Sequence, residues 1–354
     1  MDIVRKLATI RKVADIVPIE NADNIISVKI DGWNVVTQKS NNFKIDDLVV
    51  YFEIDSFLPV TEKFEFLRAS SFKLMGYKEG FRLRTIRLKK TISQGLIMPL
   101  SEFPELGDVA EGDNLTEILG IEKWEPPIHP SLSGISKGNF PSFIPKTDQE
   151  RIQNIYGSRR KWTGNNDTQY EVSIKLDGTS MTVYYYNNVI GVCSRNLELI
   201  DTPDNIYWKV ARETGLIDAI KEMCHQEYMS GIAIQGELMG EGIQGNRENI
   251  KGHKFFIFDM YNINTGRYLN AQERLYFLSL LRGYSYKLEI CHVPVIEFTT
   301  LDKFTSVNSF IEYAKRGSLT HPIAEGVVFK SIPDDSGPIH SFKVINNEFL
   351  LKEK

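Results

Sequence analysis

Lys175 stands two residues before Asp177-Gly178 in the stretch YEVSIKLDGTS, at the close of an alternating apolar run. An ammonium in that place has two readings. Asp-Gly between alternating runs is a strong short-range hairpin signal, so the lysine can be a strand-end charge reaching solvent while EVSIK turns back into SMTVYYY. The other reading is covalent catalysis, in which the amine attacks phosphorus and carries a nucleotidyl group as a phosphoramidate. That amine must be neutral. Free lysine titrates near ~10.4, so nearby positive charge, a metal ion or burial must favour loss of its proton. Asp177, two residues on in an extended strand end, shares the side of Lys175 and can hold a ribose hydroxyl or a metal-bound water. Gly178 lets the backbone turn beneath a nucleotide.

The rest of the chain offers further parts of a nucleotide site, in order. Arg195 in VCSRNLEL has the planar fork to grip a phosphate or ribose, although a surface arginine at a strand end is equally ordinary. Glu237 in IAIQGELMGEG ends an apolar strand between glycines, where a carboxylate binds ribose or metal, or simply sits in a turn. KFFIFDMYN alternates so that Phe256 and Phe258 face one side and Ile257 and Asp259 the other. Aromatics in such strands usually fill the core, but Phe258, nearest the strand's end, is the candidate to stack on a purine. AEGVVFKS sets Glu325 at the head of an apolar strand and Lys330 at its tail, and SFKVINNEFLL offers Lys343 between Phe342 and Val344. A carboxylate can hold a divalent cation through its waters, and lysines can neutralise the α-phosphate and a pyrophosphate leaving group. The three cysteines, Cys193, Cys224 and Cys291, and the six histidines form no metal-binding spacing.

Something must position these groups. At 354 residues the chain suits two domains. Its 42% hydrophobic and 25% charged residues are those of a folded protein, and a net charge of −4 excludes a uniformly basic surface while permitting a local basic groove. The start lacks a signal-peptide pattern and no segment has the ~18 apolar residues of a membrane span, so the expected location is intracellular, cytoplasmic or nuclear, and not secreted. From Leu7 to about Ile121 short strands alternate with turns (SVKIDGWNVVTQ, DLVVYFEID, FRLRTIRLKK, GLIMPL), which suits a small barrel such as an OB-fold, with SH3-like barrels as the alternative. A stretch rich in proline, glycine and serine (Lys123 to Lys146) reads as a linker. Beyond it, TDQERIQNIY and NIYWKVARETGLIDAIKEMCHQEYM look helical, whereas EVSIK, SMTVYYY, IAIQGEL, KFFIFDMY and GVVFKS look like strands. The expected division is 1–125, a linker at 126–145, and 146–354.

The ordered set KLDGTS, SRN, GELMGEG, FFIFDMY, EGVVFK and SFKVIN resembles the covalent nucleotidyltransferases: DNA ligases, RNA ligases and mRNA capping enzymes. Few residues follow Lys343, so a trailing OB domain like that of DNA ligases and capping enzymes is not expected, which points to an RNA ligase. The leading segments LATIRKVADIVPIENADNI, DGWNVVTQ, DDLVVYFEIDSFLPV, FRLRTIRL and SQGLIMPL look like the N-terminal OB domain of the fifth RNA-ligase family, which seals nicks with ATP. The resemblance runs through nearly the whole chain, including FPSFIPKTDQERIQN.

This resemblance implies an α+β chain: an N-terminal β-barrel (OB-fold) followed by an adenylyltransferase domain of antiparallel sheets flanked by helices. Lys175 would be the adenylylated nucleophile, with Gly178 beneath the nucleotide. Asp177, Glu237 and Glu325 would be ribose and metal-water ligands, Phe258 the adenine stacker, and Arg195, Lys330 and Lys343 phosphate contacts. Lys146 and Arg151 would reach nucleotide or RNA phosphates. The implied cofactors are ATP and a divalent metal, Mg2+ or Mn2+. The implied partner is a nicked RNA duplex or RNA/DNA hybrid with 3′-OH and 5′-phosphate ends, joined by a monomer with no membrane association, as in RNA repair. The OB domain is expected to guide nucleic acid through Arg82 and Arg84, with Phe81 and Trp33 supporting stacking, and to be dispensable for lysine adenylylation. Two departures stand out: Ile345 replaces the second lysine of a common Lys-x-Lys, and Ser173-Ile174 replaces a glutamate often found before the nucleophile. The competing expectations are a DNA ligase or capping-type guanylyltransferase and, in another class, a non-catalytic RNA-binding scaffold, which would be expected to have lost Lys175 or the carboxylates.

Overall fold

The computed structural model describes residues 5–125, 134–158, 167–333 and 337–352. In the N-terminal part the strands are β1 (Ala8–Pro18), β2 (Ile25–Ile30), β3 (Trp33–Gln38), β4 (Leu48–Phe52), β5 (Ser56–Pro59), β6 (Phe72–Met75), β7 (Lys78–Arg82), β8 (Thr85–Leu88), β9 (Thr91–Gln94), β10 (Leu96–Pro99) and β11 (Glu122–Lys123). They form a five-stranded sheet in the order β10-β4-β1-β2-β3, a four-stranded sheet in the order β11-β5-β7-β6, and the separate β8–β9 hairpin. β1 is long enough to serve two neighbours. Its first half pairs with β4, a register shift between Val13 and Asp15 bends it, and its second half pairs with β2. Such a bulge supplies the extra twist that curls a sheet towards closure. The result is the expected OB-fold, with Ile10, Val50, Phe52, Leu58 and Phe81 shielded inside.

Alternation along these strands decides which aromatics are free. Phe81 is 0% and Trp33 1% exposed, so the expected stacking role of both is overturned: they are core residues. Arg82 is also buried, turned towards Asp55, whereas Arg84 is exposed.

The second part contains β12 (Ser136–Asn139), β13 (Glu150–Arg151), β14 (Gln169–Lys175), β15 (Thr179–Tyr186), β16 (Val189–Cys193), β17 (Leu197–Leu199), β18 (Gly231–Gly240), β19 (His253–Asn262), β20 (Arg267–Tyr268), β21 (Cys291–His292), β22 (Val295–Thr299), β23 (Gly326–Ile332) and β24 (Ser341–Ile345). One sheet runs β12-β17-β16-β15-β18-β19-β20 with β21 beside β19, and the other β13-β24-β23-β14-β22. Neighbours are antiparallel except β13 with β24 and β19 with β21. Helices Ile206–Glu213, Leu216–Gln226 and Ala271–Tyr284 cover the larger sheet through Trp208, Ile220, Met223 and Leu281. NIYWKVARETGLIDAIKEMCHQEYM is helical as expected, but as two helices parted at Gly215, whose φ of +74° is left-handed. TDQERIQNIY likewise departs from expectation: Glu150–Arg151 pairs in parallel with β24, which leaves one helical turn at Ile152–Ile155.

Of the stretch expected to link the domains, 126–133 lies outside the described residues, while Ser136–Asn139 is β12, paired with β17 at the edge of the larger sheet. The two parts share a core. Ile345 and Leu350 pack with Val13, Trp33, Tyr51 and Ile54 of the OB-fold. Trp33 Nε1 donates to Asn154 Oδ1 at 2.8 Å, and Asn154 Nδ2 donates to Glu53 Oε2 at 3.0 Å.

Candidate active site

The Asp-Gly turn after Lys175 makes no hairpin. β14 pairs with β22 and β23, whereas β15 pairs with β16 and β18, so Leu176-Asp177-Gly178 carries the chain from one sheet into the other. Lys175 therefore ends its strand at the mouth between two sheets. A cleft of about 1400 Å³ opens there, with walls from both sheets and from the OB-fold. That is more space than a small ligand alone requires.

Lys175 Nζ donates to Glu325 Oε2 at 2.6 Å. The contact follows from register, because Lys175 lies opposite Gly326 at the start of β23, one residue after Glu325. Glu237 projects from β18 and accepts from Gly178 N at 3.1 Å. A glycine is needed at 178: a Cβ there would lie 2.5 Å from Leu238 O and 2.8 Å from Glu237 Cγ. Asp177 is held by Arg247, Nη1 to Oδ2 at 3.4 Å. Three carboxylates thus surround one amine.

Their electrostatics follow from crowding. Burial pushes the Asp177 carboxyl up, Glu325 adds to this, and Lys175 and Arg247 only partly offset it, leaving it at about 6. Burial likewise raises Glu237, against the pull of Lys175 and with the push of Glu325, to about 7. For Lys175, burial opposes the charge, but Glu325, Glu237 and Asp177 outweigh burial and its affinity for a proton is raised. Without a further cation the amine is an ammonium. Carboxylates that resist ionisation together fit a divalent cation, which would relieve their repulsion and weaken their hold on the lysine's proton. Among the described residues no three His, Cys, Asp or Glu side chains are arranged to hold a metal directly, so any ion would draw ligands from water or a bound phosphate as well.

The opposite wall is cationic. Lys343 on β24 lies beside Arg151 in register. Burial lowers its ammonium, the charges of Arg151, Arg5 and Lys175 lower it further, and Asp148 only partly compensates, leaving it at about 7. Arg151 is 6% exposed and donates through Nη2 to Asp55 Oδ2 at 3.1 Å, yet among the described residues its Nε and Nη1 have no hydrogen-bond partner, Nε lying 3.9 Å from Glu53 Oε1. Arg5 reaches the same Asp55 at 3.2 Å, and Arg82 Nη2 lies 3.9 Å from its other oxygen. Asp55 is an OB-fold residue, and Arg5, Asp55 and Arg82 all line the cleft. Buried donors without a hydrogen bond and a lysine whose ammonium is weakened by crowding are the features of a slot for a polyanion.

Comparison with known proteins agrees. A family model described as an OB-fold domain matches residues 7–100, and one described as RNA ligase matches residues 168–345. Among solved structures, Naegleria gruberi RNA ligase with PPi is 41% identical, with 99% of each chain covered and a TM-score of 0.88. This chain belongs to the RNA ligase family. A lysine-to-alanine variant of the same Naegleria gruberi ligase, with ATP and Mn, is 40% identical over 98% of this chain and 99% of that one, TM-score 0.88. A glutamate-to-alanine variant with AMP and Mn is 41% identical over 99% of each, TM-score 0.88. No curated protein matches.

Of the residues singled out in the sequence of this RNA ligase, Lys175, Asp177, Gly178, Glu237, Glu325, Phe258, Arg195, Lys330, Lys343 and Arg151 all line the cleft. Lys146 does not; it is exposed, with Nζ 3.5 Å from Asn196 Oδ1. Arg195 is half exposed and paired with Asp148 at 2.7 Å, which Lys123 approaches at 3.1 Å from the OB side. Lys330 is buried, bound to Asp259 Oδ1 at 2.8 Å and to the carbonyl of Phe258. The expectation that Asp259 faces away with Ile257 is overturned. The register jumps between Gln235↔Asp259 and Gly236↔Ile257, leaving Phe258 as an unpaired bulge residue. The bulge shifts the alternation by one, so Met260 takes the core side and Asp259 meets Lys330. Phe258 stays half-buried with its ring 5.4 Å from Lys330 Nζ.

Sequence reasoning missed Arg5, Asp55, Asp148 and Arg247 as site residues. None belongs to the six ordered elements from KLDGTS to SFKVIN, although Asp55 lies in DDLVVYFEIDSFLPV and Asp148 in FPSFIPKTDQERIQN, and Arg5 and Asp55 come from the other domain. The signal available was only that Asp55 follows an apolar run, VVYFEID, at a strand's end.

Proposed function

We propose that this ATP-dependent RNA ligase seals 3′-OH/5′-phosphate nicks in duplex RNA or RNA/DNA hybrids through a lysyl-AMP at Lys175, with residues 1–125 as the OB domain and 146–354 as the adenylyltransferase domain. The observation that carries the reading is the Lys175 amine, hydrogen-bonded to Glu325 between the Glu237/Asp177 carboxylates and the cationic wall of Arg5, Arg82, Arg151 and Lys343. Solved relatives with ATP or AMP and Mn support ATP and a divalent cation as its cofactors.

In the first step the amine of Lys175 gives up its proton along the hydrogen bond to Glu325, its lone pair forms a bond to the α-phosphorus of ATP, and the bond to the β-phosphate oxygen breaks to release pyrophosphate. Arg151, whose Nε and Nη1 make no hydrogen bond among the described residues, and Lys343 hold the β- and γ-phosphates in line and take up the charge of the leaving group. Phe258 offers its ring to adenine, and Glu237 and Asp177 are acceptors for ribose hydroxyls. A divalent cation bound by these carboxylates through water would supply Lewis-acid stabilisation of the phosphoryl oxygens and favour the neutral amine. AMP then passes to the RNA 5′-phosphate, and the 3′-hydroxyl displaces it. Each step is an in-line displacement, so one set of cations serves all three.

The test is a nick-sealing assay with ATP and Mg2+ or Mn2+, on nicked duplexes that differ only in the sugar at the 3′-OH strand. Sealing of the RNA 3′-OH nick by the wild type and none by Glu325→Gln supports the reading. Equal sealing of DNA and RNA 3′-OH ends, or labelling by GTP instead of ATP, contradicts it.

A further inference from the structure

The β8–β9 hairpin is unlike the rest of the OB-fold. Between Glu79 and Glu102 the chain carries Arg82, Arg84, Arg87, Lys89 and Lys90 and no acidic residue, in a protein whose net charge is −4. The hairpin's root is buried through Thr85, Ser93 and Gln94. Every residue from Ile86 to Lys90 is exposed. Four residues per strand at ~3.3 Å each make a finger about 13 Å long.

Its tip is built against local preference. The two residues between Leu88 and Thr91 are Lys89 and Lys90, both with positive φ, at 46° and 68°. Two-residue hairpin loops with two positive φ angles strongly favour Asn-Gly, because side chains with a full Cβ substituent are strained there. Two adjacent lysines accept that strain and place two ammonium groups at the end of the finger. Among the described residues, Arg84, Arg87, Lys89 and Lys90 make no ion pair, whereas Arg82 and Arg151, deeper in, are held by Asp55.

The root abuts the catalytic cleft. Arg82, three residues before β8, lines it. Gln94 Nε2 at the end of β9 donates to Asn347 Oδ1 at 3.2 Å, and Asn347 begins the short helix whose Phe349 and Leu350 form part of the cleft wall. Cations therefore run outward from the cleft edge, Arg82, Arg84, Arg87, then Lys89 and Lys90. We propose that the β8–β9 hairpin is an arm that grips the phosphate backbone of the RNA duplex flanking the nick, through Arg87, Lys89 and Lys90. A row of cations leading away from a phosphodiester-forming centre, with Arg84, Arg87, Lys89 and Lys90 in no ion pair among the described residues, matches a regular polyanion in charge and direction. The inference rests on the RNA ligase reading.

The experiment compares wild type, Arg87→Gln, and the pair Lys89→Asn with Lys90→Gly. The pair removes two charges while installing the residues the turn prefers, so it keeps or raises the apparent Tm, and loss of binding cannot be ascribed to unfolding. Binding of nicked RNA duplex is measured against salt, and lysine adenylylation is followed in parallel. The expected result is a salt slope shallower by about 2 for the pair and about 1 for Arg87→Gln, affinity down at least ~10-fold for the pair, and adenylylation at the wild-type rate. Unchanged affinity and slope with normal adenylylation overturn the arm. A fall in adenylylation matching the fall in binding also overturns it, since the hairpin would then belong to the nucleotide site. Displacement of RNA by polyglutamate as readily as by unlabelled RNA would assign the hairpin to an acidic protein instead. Failure of the wild type itself to adenylylate would fall on the ligase reading.

Discussion

Asp55 is the residue through which the OB-fold reaches into the nucleotide site, and Asp55→Asn tests that link. Burial pushes its carboxyl up, but Arg151, Arg5 and Arg82 outweigh burial and lower it from 3.8 to about 2. That difference corresponds to roughly 2–3 kcal/mol of preference for the carboxylate in the folded protein. Because the folded value lies below the unfolded one, the stabilisation is fully present above pH about 4 and is lost as the pH falls through about 2. Asparagine keeps the shape and one acceptor but removes the charge that gathers three guanidinium groups. The apparent Tm should fall by roughly 3–4 °C at neutral pH. Since Arg151 loses its anchor, adenylylation of Lys175 should slow by about 10- to 100-fold. The difference in Tm between wild type and variant should vanish near pH 2. Thermal unfolding across pH and a single-turnover adenylylation assay read both effects. Wild-type stability together with a wild-type adenylylation rate would refute the reasoning. The same geometry revises the expectation that the OB domain is dispensable for adenylylation. Deleting residues 1–125 would remove Asp55, Arg5 and Arg82 and uncover Ile345 and Leu350, so adenylylation should be lost with sealing.

Other outcomes follow from the site. Gly178→Ala forces a Cβ to 2.5 Å from Leu238 O, so it should destabilise by about 1–3 kcal/mol in urea titration and displace Glu237, with adenylylation falling beyond what the stability loss explains. Lys343, lowered to about 7, is partly neutral in the free protein near pH 7.5. A triphosphate raises it, so ATP binding between pH about 7 and about 8 should take up protons, seen calorimetrically as a dependence on buffer ionisation heat that Lys343→Met removes. With the folded value below 10.5, the unfolded chain binds more protons, and the contribution of Lys343 makes the free protein more stable as pH rises from about 7 to about 10.5.

The sequence carried the strands well, because β-branched and aromatic alternation survives folding unchanged: SVKI, WNVV, LVVYF and GVVFK are all strands where expected. It carried the chemical residues of the larger domain for a related reason. Lys175 ends β14 and Glu325 immediately precedes β23, whereas Glu237 and Lys343 lie within β18 and β24, and all four line one cleft between the sheets. What it could not carry were the facts set by pairing partners. Asp-Gly signals a hairpin locally, yet β14 pairs with β22 and β23 while β15 pairs with β16 and β18. The bulge at Phe258 reverses the alternation after it, so Asp259 meets Lys330 although strict period two sends it away. Trp33 and Phe81 read as surface aromatics beside arginines, but the curl of the barrel encloses them. Arg5 and Asp55 lie outside the six elements of the nucleotidyltransferase set, and their place in the site exists only once the domains dock.

The measurement closest to the central claim is peptide mapping by mass spectrometry after the protein is incubated with ATP and Mg2+, with and without pyrophosphate. A single AMP on the peptide containing Lys175, lost on adding pyrophosphate and absent from Lys175→Ala, is the predicted result. AMP attached to a different residue, or undiminished in Lys175→Ala, would contradict the account.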